Sequence, residues 1–222
     1  AYVGVGREDG RRGGEYSCIF YRTNRFAVTR SGTFWLSETP EVPGSKSWET
    51  ACPRVCTWAD MKDLKTGKTF VCFNTHLDHM SKEARRNGMA LILARMARVA
   101  QGRPVLLTGD MNATPEKRPV DAAAVQADFK SAGPKEPHAA GGPYAIATAN
   151  LRDSFDVTRT PHAGPIKTFS GFKYVEHPEG QPIDYIFVSA GIDVLTHATL
   201  NDSENQLYPS DHFPVSADVS IE

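Results

Sequence analysis

The sequence contains few cysteines, and these lack the spacing of a metal site. There are 4 cysteines in 222 residues, and Cys18 and Cys72 lie in apolar stretches, where a thiol behaves as a small hydrophobic group. Cys52 and Cys56 have neither a second cysteine pair nor histidines at zinc-binding spacing. We therefore expect reduced, unreactive thiols rather than disulfides or a structural zinc site.

The sequence also lacks long apolar runs and a strong net charge. No stretch is long and apolar enough to span a bilayer, and the residues after Ala1 lack the order of a signal peptide. The formal net charge of -1 excludes a protein that coats nucleic acid by charge alone, but it leaves the substrate open. With 40% hydrophobic residues, the chain can bury a sizeable core, so we expect one globular domain over residues 1–222.

Several short runs have the length and apolar pattern of strands and are separated by turn residues. The segments "EYSCIFYR" and "RFAVTRSGTFWLS" come first, and "RVCTWADMKDLKTGKTFVCFNTHLD" has the pattern of a hairpin that turns at "KTGK". "PVLLTGDMN" and "PIDYIFVS" have the character of buried strands, and "FPVSADVSI" alternates as a closing strand. These patterns predict a largely antiparallel sheet.

One segment has helical periodicity. Apolar residues recur at helical spacing between Ser81 and Gln101; Ser81 can cap the first turn, and Gly102 and Pro104 end the helix. We expect its Met and Leu face to pack on one sheet and the closing strand to join the same core. The segment Ala132–Ala149, rich in Gly, Pro and Ala, is predicted to be a loop.

Polar residues stand where the predicted strands end or begin. They are His76 in "NTHLDH", Asp110 and Asn112 in "GDMN", Asp184 in "IDYI", and Asp211 and His212 in "SDH". Each motif alone is weak, because Gly-Asp turns and hydrogen-bonded structural histidines are common. Ligands gather at strand ends in open α/β sheets, so the whole set indicates one shared cleft.

The same segments resemble a known family. "NTHLDH", "LLTGDMN", "PIDYIFVS" and "YPSDHFPV" occur in the order found in the endonuclease/exonuclease/phosphatase family, and the likeness runs from about Arg7 to Val215. The family includes pancreatic deoxyribonuclease, abasic-site endonucleases, deadenylases and neutral sphingomyelinases, and "GREDGRRGGEYSCIFYR" is similar to a bacterial subgroup. The resemblance implies an α/β fold of two mostly antiparallel sheets packed face to face, with helices outside.

The resemblance also implies roles in the hydrolysis of a phosphate ester. His76 would contact the phosphate with Glu15 as its carboxylate partner, and His212 would mirror it, oriented by Asp184. A carboxylate partner fixes the imidazole tautomer and raises its basicity, which suits a group that is charged beside phosphate. Because no candidate Ser or Cys nucleophile adjoins the histidines, water would attack phosphorus directly. The alternative for Glu15 is a solvated loop residue.

The remaining implied roles concern the water, the metal and the phosphate oxygens. Asp110 and Asn112 would hold the nucleophilic water and a phosphate oxygen. Asp211, with Asp110, would bind a hard divalent cation, Mg²⁺ or alternatively Mn²⁺. Arg54, in "CPR", matches a phosphate-contacting arginine of the family, and Arg7 would belong to a basic rim for an anionic substrate. A flexible charged loop is the simpler alternative for Arg7.

The sequence departs from the family pattern at its beginning. Family members start with a strand that carries an Asn, a helix, and a second strand that ends in a metal-binding Glu, whereas this sequence starts at "AYVGVGRED". We therefore expect an N-terminally incomplete domain that lacks the first strands. The alternatives are a separate chain that carries those strands, or a metal-poor relative. Localisation, cytoplasmic or secreted, would be decided by the missing segment.

The sequence thus predicts a Mg²⁺-dependent phosphoric ester hydrolase, with nuclease or phosphodiesterase activity slightly ahead of phosphatase activity. Its substrate would be a nucleic acid, a phospholipid head group or a small phosphorylated metabolite. The alternative is a catalytically weak phosphate-binding or scaffold protein without a complete metal site. The oligomeric state is left open.

Overall fold

The structure, a computed structural model, describes residues 1–115 and 141–222. Its elements, in chain order, are β1 (Tyr2–Val3), β2 (Ile19–Phe20), β3 (Phe26–Trp35), β4 (Val55–Asp63), β5 (Thr69–His76), α1 (Lys82–Ala100), β6 (Val105–Asp110), α2 (Pro143–Thr148), β7 (Arg152–Asp153), α3 (Ser154–Val157), β8 (Asp184–Val188), β9 (Ile192–Thr199) and β10 (Val215–Ile221). No helix within the described ranges has both the length and the apolar character needed to cross a membrane.

The largest sheet has six strands in the order β3-β4-β5-β6-β8-β7. Strands β5 and β6 pair in parallel, and the other neighbours are antiparallel. Two antiparallel pairs, β1 with β2 and β9 with β10, pack over one face of this sheet, and α1 covers the opposite face. This layered arrangement of mostly antiparallel sheets with helices outside confirms the predicted fold class.

Alternating side chains of the central strands separate the two faces of the sheet. Val71, Phe73 and Leu107 belong to the core under α1, whereas Phe70 and Leu106 pack on the opposite face against the β-pairs. Burial of each such side chain contributes about 1.5–3 kcal/mol. The alternation therefore fixes the rotation of β5 and β6, and with it the direction of the polar residues at their ends.

The closing strand does not join the core under α1, and that expectation was wrong. Strand β10 pairs with β9, and Val219 and Ile221 pack with Leu106 and Ile186 on the face away from the helix. The alternating pattern of β10 shows that one side is buried, but it does not say which face of the large sheet receives that side.

One predicted loop is partly helical. Within Ala132–Ala149, residues 132–140 lie outside the described residues, whereas Pro143–Thr148 form α2. Proline suits the first helical turn, where its missing N–H is not needed, and Ile146 is buried in the core with α1. The loop prediction is therefore wrong for this segment. The surrounding Gly and Pro residues give it a composition typical of loops, although these six residues are helical.

An open apolar trough of about 720 Å³ lies on the face that carries the two β-pairs. Met61, Phe70 and Leu106 line it together with Ile19 of β2 and Val219 of β10. Within the described residues, β2 and β10 each pair along one edge. Apolar sheet faces and free strand edges of this kind are normally covered.

Gln101, in the left-handed region, follows the last residue of α1, and at the other end the helix is capped, as the sequence predicts, by Ser81. Its Oγ accepts a hydrogen bond from the Ala84 N–H at 3.1 Å and donates one to the Trp48 carbonyl at 2.7 Å. We expect Ser81→Ala to lower the free energy of unfolding by about 1–2 kcal/mol, measured by urea denaturation. Ser203→Ala, at an exposed loop position, should change it by less than about 0.5 kcal/mol. Equal stabilities of the two variants would contradict the capping role.

Candidate active site

Strand register brings three ionisable residues side by side. His76 ends β5 and lies opposite Asp110 at the end of the parallel strand β6. Asp110 in turn lies opposite Asp184 at the start of the antiparallel strand β8. The convergence of these residues at one edge of the sheet, which the sequence predicts, follows from the backbone pairing.

His76, Asp110 and His212 form a compact group, here called the His–Asp–His cluster. The Asp110 Oδ2 atom lies 3.2 Å from His76 Nε2 and 3.9 Å from His212 Nε2. The other ring nitrogen of His212, Nδ1, lies 2.8 Å from Asp184 Oδ2. Two imidazoles that share one carboxylate can move protons to and from a bound phosphate ester.

The two histidines have pKa shifts of opposite sign. The hydrogen bond to Asp184 raises the pKa of His212 above its ordinary value, against the effect of burial. Burial, followed by the charge of Arg54, lowers the pKa of His76 to about 4. The expectation that a carboxylate partner makes both imidazoles more basic is therefore wrong for His76, because burial and Arg54 outweigh Glu15. At neutral pH this difference favours a neutral His76 beside a more basic His212. His76 is thus suited to accept a proton and His212 to donate one.

Glu15 lies near His76, but its hydrogen bond goes to an arginine. Its Oε2 atom is 3.9 Å from His76 Nδ1 and 3.9 Å from Arg54 Nη1, and it accepts a hydrogen bond from Arg7. The Glu15 side chain is 64% exposed, so solvent screens its charge. Glu15 thus connects the two arginines to the histidine and is not a close partner of His76.

Asp110 and Asn112 are held by the chain reversal after β6. Burial, followed by the charge of Asp184, raises the pKa of Asp110 to about 6. Asn112 has a φ of 47°, and its N–H donates to Asp110 Oδ1 at 2.7 Å while its Nδ2 donates to the Leu77 carbonyl at 3.0 Å. An amide nitrogen carries two hydrogens, so Asn112 can keep this contact and also donate to a phosphate oxygen.

Arg54 is buried beside the cluster with incomplete hydrogen bonding. It is 4% exposed, and its Nη2 contacts His79 Nδ1 at 3.0 Å. Its Nε and Nη1 atoms have no hydrogen-bond partner among the described residues, although oxygens of Asp78 and Glu15 lie 3.7 and 3.9 Å away. Buried N–H groups without partners are costly, so this guanidinium group is suited to receive an anion.

Asp78 supports Arg54 by holding the loops around it. Its carboxylate accepts four hydrogen bonds, from Thr50, Ala51, Met80 and Ser81. Burial raises the pKa of Asp78, but these hydrogen bonds outweigh burial and lower it to about 2. Nothing in the sequence around Asp78 and His79 signals that this loop surrounds Arg54.

Thr168 is a positioning residue that the sequence does not single out. Its Oγ1 accepts a hydrogen bond from the Asp184 N–H at 3.2 Å, and its carbonyl accepts one from the Phe213 N–H at 2.6 Å. These bonds hold the start of β8 against the segment that carries His212. The only local clue is a threonine before an aromatic residue in "KTFSG", which by itself indicates no function.

The carboxylates of the site fit a divalent cation. Among the described residues, Asp110, Asp184 and His212 each offer one ligand atom, and these atoms lie within 4.8 Å of one another. Two carboxylates suit a hard cation such as Mg²⁺ or Mn²⁺, which retains several water ligands. Asp211, the metal ligand expected from the sequence, does not belong to this group; its Oδ1 lies 3.4 Å from the Ser210 hydroxyl.

Comparisons of the sequence with known proteins assign it to a family. The sequence profile of the Endonuclease/Exonuclease/phosphatase family matches residues 5–212. A comparison with curated proteins found no match. The matched range contains every candidate site residue named above.

Solved bacterial structures match the whole chain. An endonuclease/exonuclease/phosphatase from Bacteroides vulgatus is 32% identical, with a TM-score of 0.82 over 100% of this chain and 76% of that one. A mannosyl-6-phosphatase from Bacteroides thetaiotaomicron is 34% identical, with a TM-score of 0.80 over 100% of this chain and 77% of that one. The human nocturnin catalytic domain, at 18% identity and a TM-score of 0.62 over 100% of this chain and 71% of that one, shares the fold.

Proposed function

The chain belongs to the endonuclease/exonuclease/phosphatase family, and from this premise we propose that it hydrolyses a phosphate ester at the His–Asp–His cluster. The contacts of both imidazoles with Asp110 support this proposal. Water attacks phosphorus directly, without a covalent intermediate. Mg²⁺ or Mn²⁺, when bound at Asp110 and Asp184, supplies positive charge against the negative charge that develops on the phosphate.

Each residue of the site has a defined task in this proposal. Asp184 holds the protonated ring of His212, so that Nε2 donates to a phosphate oxygen or to the leaving group. His76 accepts one proton from the attacking water, which Asp110 holds, and Asn112 orients that water or a phosphate oxygen. We also retain Asp211 as a proposed ligand of the cation.

The observation that carries the proposal further is a pair of arginines with buried, unpaired N–H groups. Arg7 Nε, like Arg54 Nε and Nη1, has no hydrogen-bond partner among the described residues. A phosphomonoester carries about 1.5–2 negative charges at pH 7, whereas a diester carries one. Glu15 lies against both guanidinium groups, yet these three nitrogen donors still have no partner among the described residues, and they fit the additional anionic oxygen of a monoester. We therefore rank a phosphomonoester ahead of the diester that the sequence favours.

A sugar phosphate is the class of monoester that we propose. It belongs to the small phosphorylated metabolites expected from the sequence. The support comes from the relative in Bacteroides thetaiotaomicron, which is described as a mannosyl-6-phosphatase and is 34% identical over 100% of this chain.

Hydrolysis assays with three substrates test the proposed function. The substrates are p-nitrophenyl phosphate, mannose 6-phosphate and bis(p-nitrophenyl) phosphate, each with Mg²⁺, Mn²⁺ or a chelator. We expect metal-dependent hydrolysis of the monoesters, with kcat/KM about tenfold or more above that for the diester. A higher kcat/KM for the diester would overturn the monoester assignment. A folded protein without turnover on any of the three would instead support the phosphate-binding alternative.

A further inference from the structure

One loop beside the His–Asp–His cluster exposes several large apolar side chains. We call residues 169–175 the aromatic loop. Phe169 is 43% exposed and Phe172 is 61% exposed, and Tyr174 and Val175 are exposed as well. Large apolar side chains that gather on the surface next to a polar site favour a binding role over a packing role.

The aromatic loop is fixed to the segment that carries His212. The ring centroids of Phe169 and His212 are 5.0 Å apart in an edge-to-face arrangement, and the two residues form an antiparallel bridge. The N–H groups of Ser170 and Gly171 donate to the Asp211 carbonyl at 2.7 and 3.0 Å. The Phe169 ring and the backbone that follows it are therefore anchored beside the candidate reacting groups.

The backbone of Phe172 is strained. Its φ is 61°, in the left-handed region that bulky side chains rarely adopt. Its N–H donates to Ser170 Oγ at 3.2 Å, and that hydroxyl donates to the Asp211 carbonyl at 3.0 Å. Burial does not offset the strain, because the ring is mostly exposed. Strained conformations that are maintained in this way cluster at functional sites.

We infer that Phe169 and Phe172 form a platform on which the sugar ring of the substrate stacks while its phosphate lies at the His–Asp–His cluster. This inference rests on the proposed phosphatase function. A pyranose ring has a face of C–H groups that can pack on an aromatic ring and leave its hydroxyl groups in water. Phe169 contacts His212 and is assigned the part of the platform next to the phosphate, and Phe172, three residues along the aromatic loop and more exposed, is assigned the outer part.

A comparison of a ring substrate with an open-chain substrate tests the platform. Phe172→Ala should raise KM for mannose 6-phosphate by about 5- to 20-fold, with kcat changed by less than about twofold. KM for glycerol 3-phosphate, which has no ring, should stay the same. Phe169→Leu keeps an apolar contact with His212 and should show the same selective effect. Phe20→Ala is the matched control, because it removes an exposed phenylalanine from β2, and it should affect neither substrate.

The possible results separate the platform from the proposed function. Equal changes in KM for both substrates, or no change for either, would overturn the platform. A selective loss with adenosine 5′-monophosphate but not with mannose 6-phosphate would overturn the sugar assignment. If the wild type hydrolyses neither phosphate ester, the proposed function fails. Calorimetric titration with mannose 6-phosphate then tests the platform through binding, without turnover. Weaker binding by Phe172→Ala than by wild type would then support the platform, and equal binding would overturn it.

Discussion

Replacing His212 with alanine is expected to lower kcat for a phosphomonoester by about 10²- to 10⁴-fold. His212 lies 2.8 Å from Asp184 through Nδ1 and 3.9 Å from Asp110 through Nε2, and the Asp184 hydrogen bond raises its pKa. The variant removes the group that holds a proton beside the phosphate, and no neighbouring imidazole of similar basicity replaces it, because the pKa of His76 is lowered to about 4. Steady-state release of phosphate with Mg²⁺ measures the loss.

The variant Asp184→Asn tests how the basicity of His212 is maintained. Because the protonated form of His212 is the active one, kcat/KM should fall as the pH rises through its raised pKa. Without the negative charge of Asp184 that pKa decreases, so the fall should begin at a lower pH than in the wild type. Profiles of kcat/KM against pH for wild type and variant, both at saturating Mg²⁺, measure the shift.

His177→Ala is the control for both variants, since His177 is an exposed histidine outside the cluster. Its kcat and pH profile should match those of the wild type. A folded His212→Ala protein that keeps more than about a tenth of the wild-type kcat would exclude His212 as the main proton donor. An unchanged pH profile of Asp184→Asn would exclude Asp184 as the source of the basicity of His212.

The positions of His76, Asp110 and Asp184 could be predicted from the sequence because each adjoins a strand with a clear apolar pattern. Alternating burial in β5 and β6 fixes the rotation of these strands. Parallel pairing of β5 with β6 and antiparallel pairing of β6 with β8 then align the three residues. The strand patterns, together with the tendency of ligand-binding groups to gather at strand ends, were enough to assign the residues to one cleft.

Strand β9 was not predicted from the sequence, because its alternation of buried and exposed side chains shifts by one residue within the strand. Asp218 of β10 pairs with Thr196, and the next residue, Val219, pairs with Val194. Leu195 is thus an extra residue in the ladder, a bulge that shifts the alternation of buried side chains. A search for strict apolar alternation does not find such a strand, although its partner β10 shows the pattern.

The electrostatics of the site could not be predicted because they depend on contacts between distant segments. Arg54 reaches the loop that follows β5 through His79, and Glu15 makes its hydrogen bond to Arg7 within the first loop. Sequence spacing does not reveal these contacts, since the whole fold sets the relative positions of the loops. The lowered pKa of His76 is a direct result, because burial and Arg54 dominate its surroundings.

Replacing Arg54 with methionine is expected to lower kcat/KM for a phosphomonoester by about 10²- to 10³-fold, with a smaller loss for a diester. The variant removes the buried Nε and Nη1 donors, which have no hydrogen-bond partner among the described residues, and leaves an apolar side chain of similar length. The surrounding loop should persist, because Asp78 keeps its four hydrogen bonds to other groups. Hydrolysis kinetics and inhibition by inorganic phosphate measure the effect, and near-UV circular dichroism checks the fold.

A second measurement on Arg54→Met does not depend on turnover. Because Arg54 contributes to lowering the pKa of His76 to about 4, that pKa should rise in the variant, as followed by NMR titration of the histidine ring. Arg159→Met is the matched control, since Arg159 is an exposed arginine paired with Asp193, and exposed pairs contribute about 0–1 kcal/mol. Suppose that inorganic phosphate inhibits Arg54→Met as strongly as wild type while the pKa of His76 has risen. Arg54 would then affect the charge at His76 without binding phosphate, which would remove the main support for a phosphomonoester substrate.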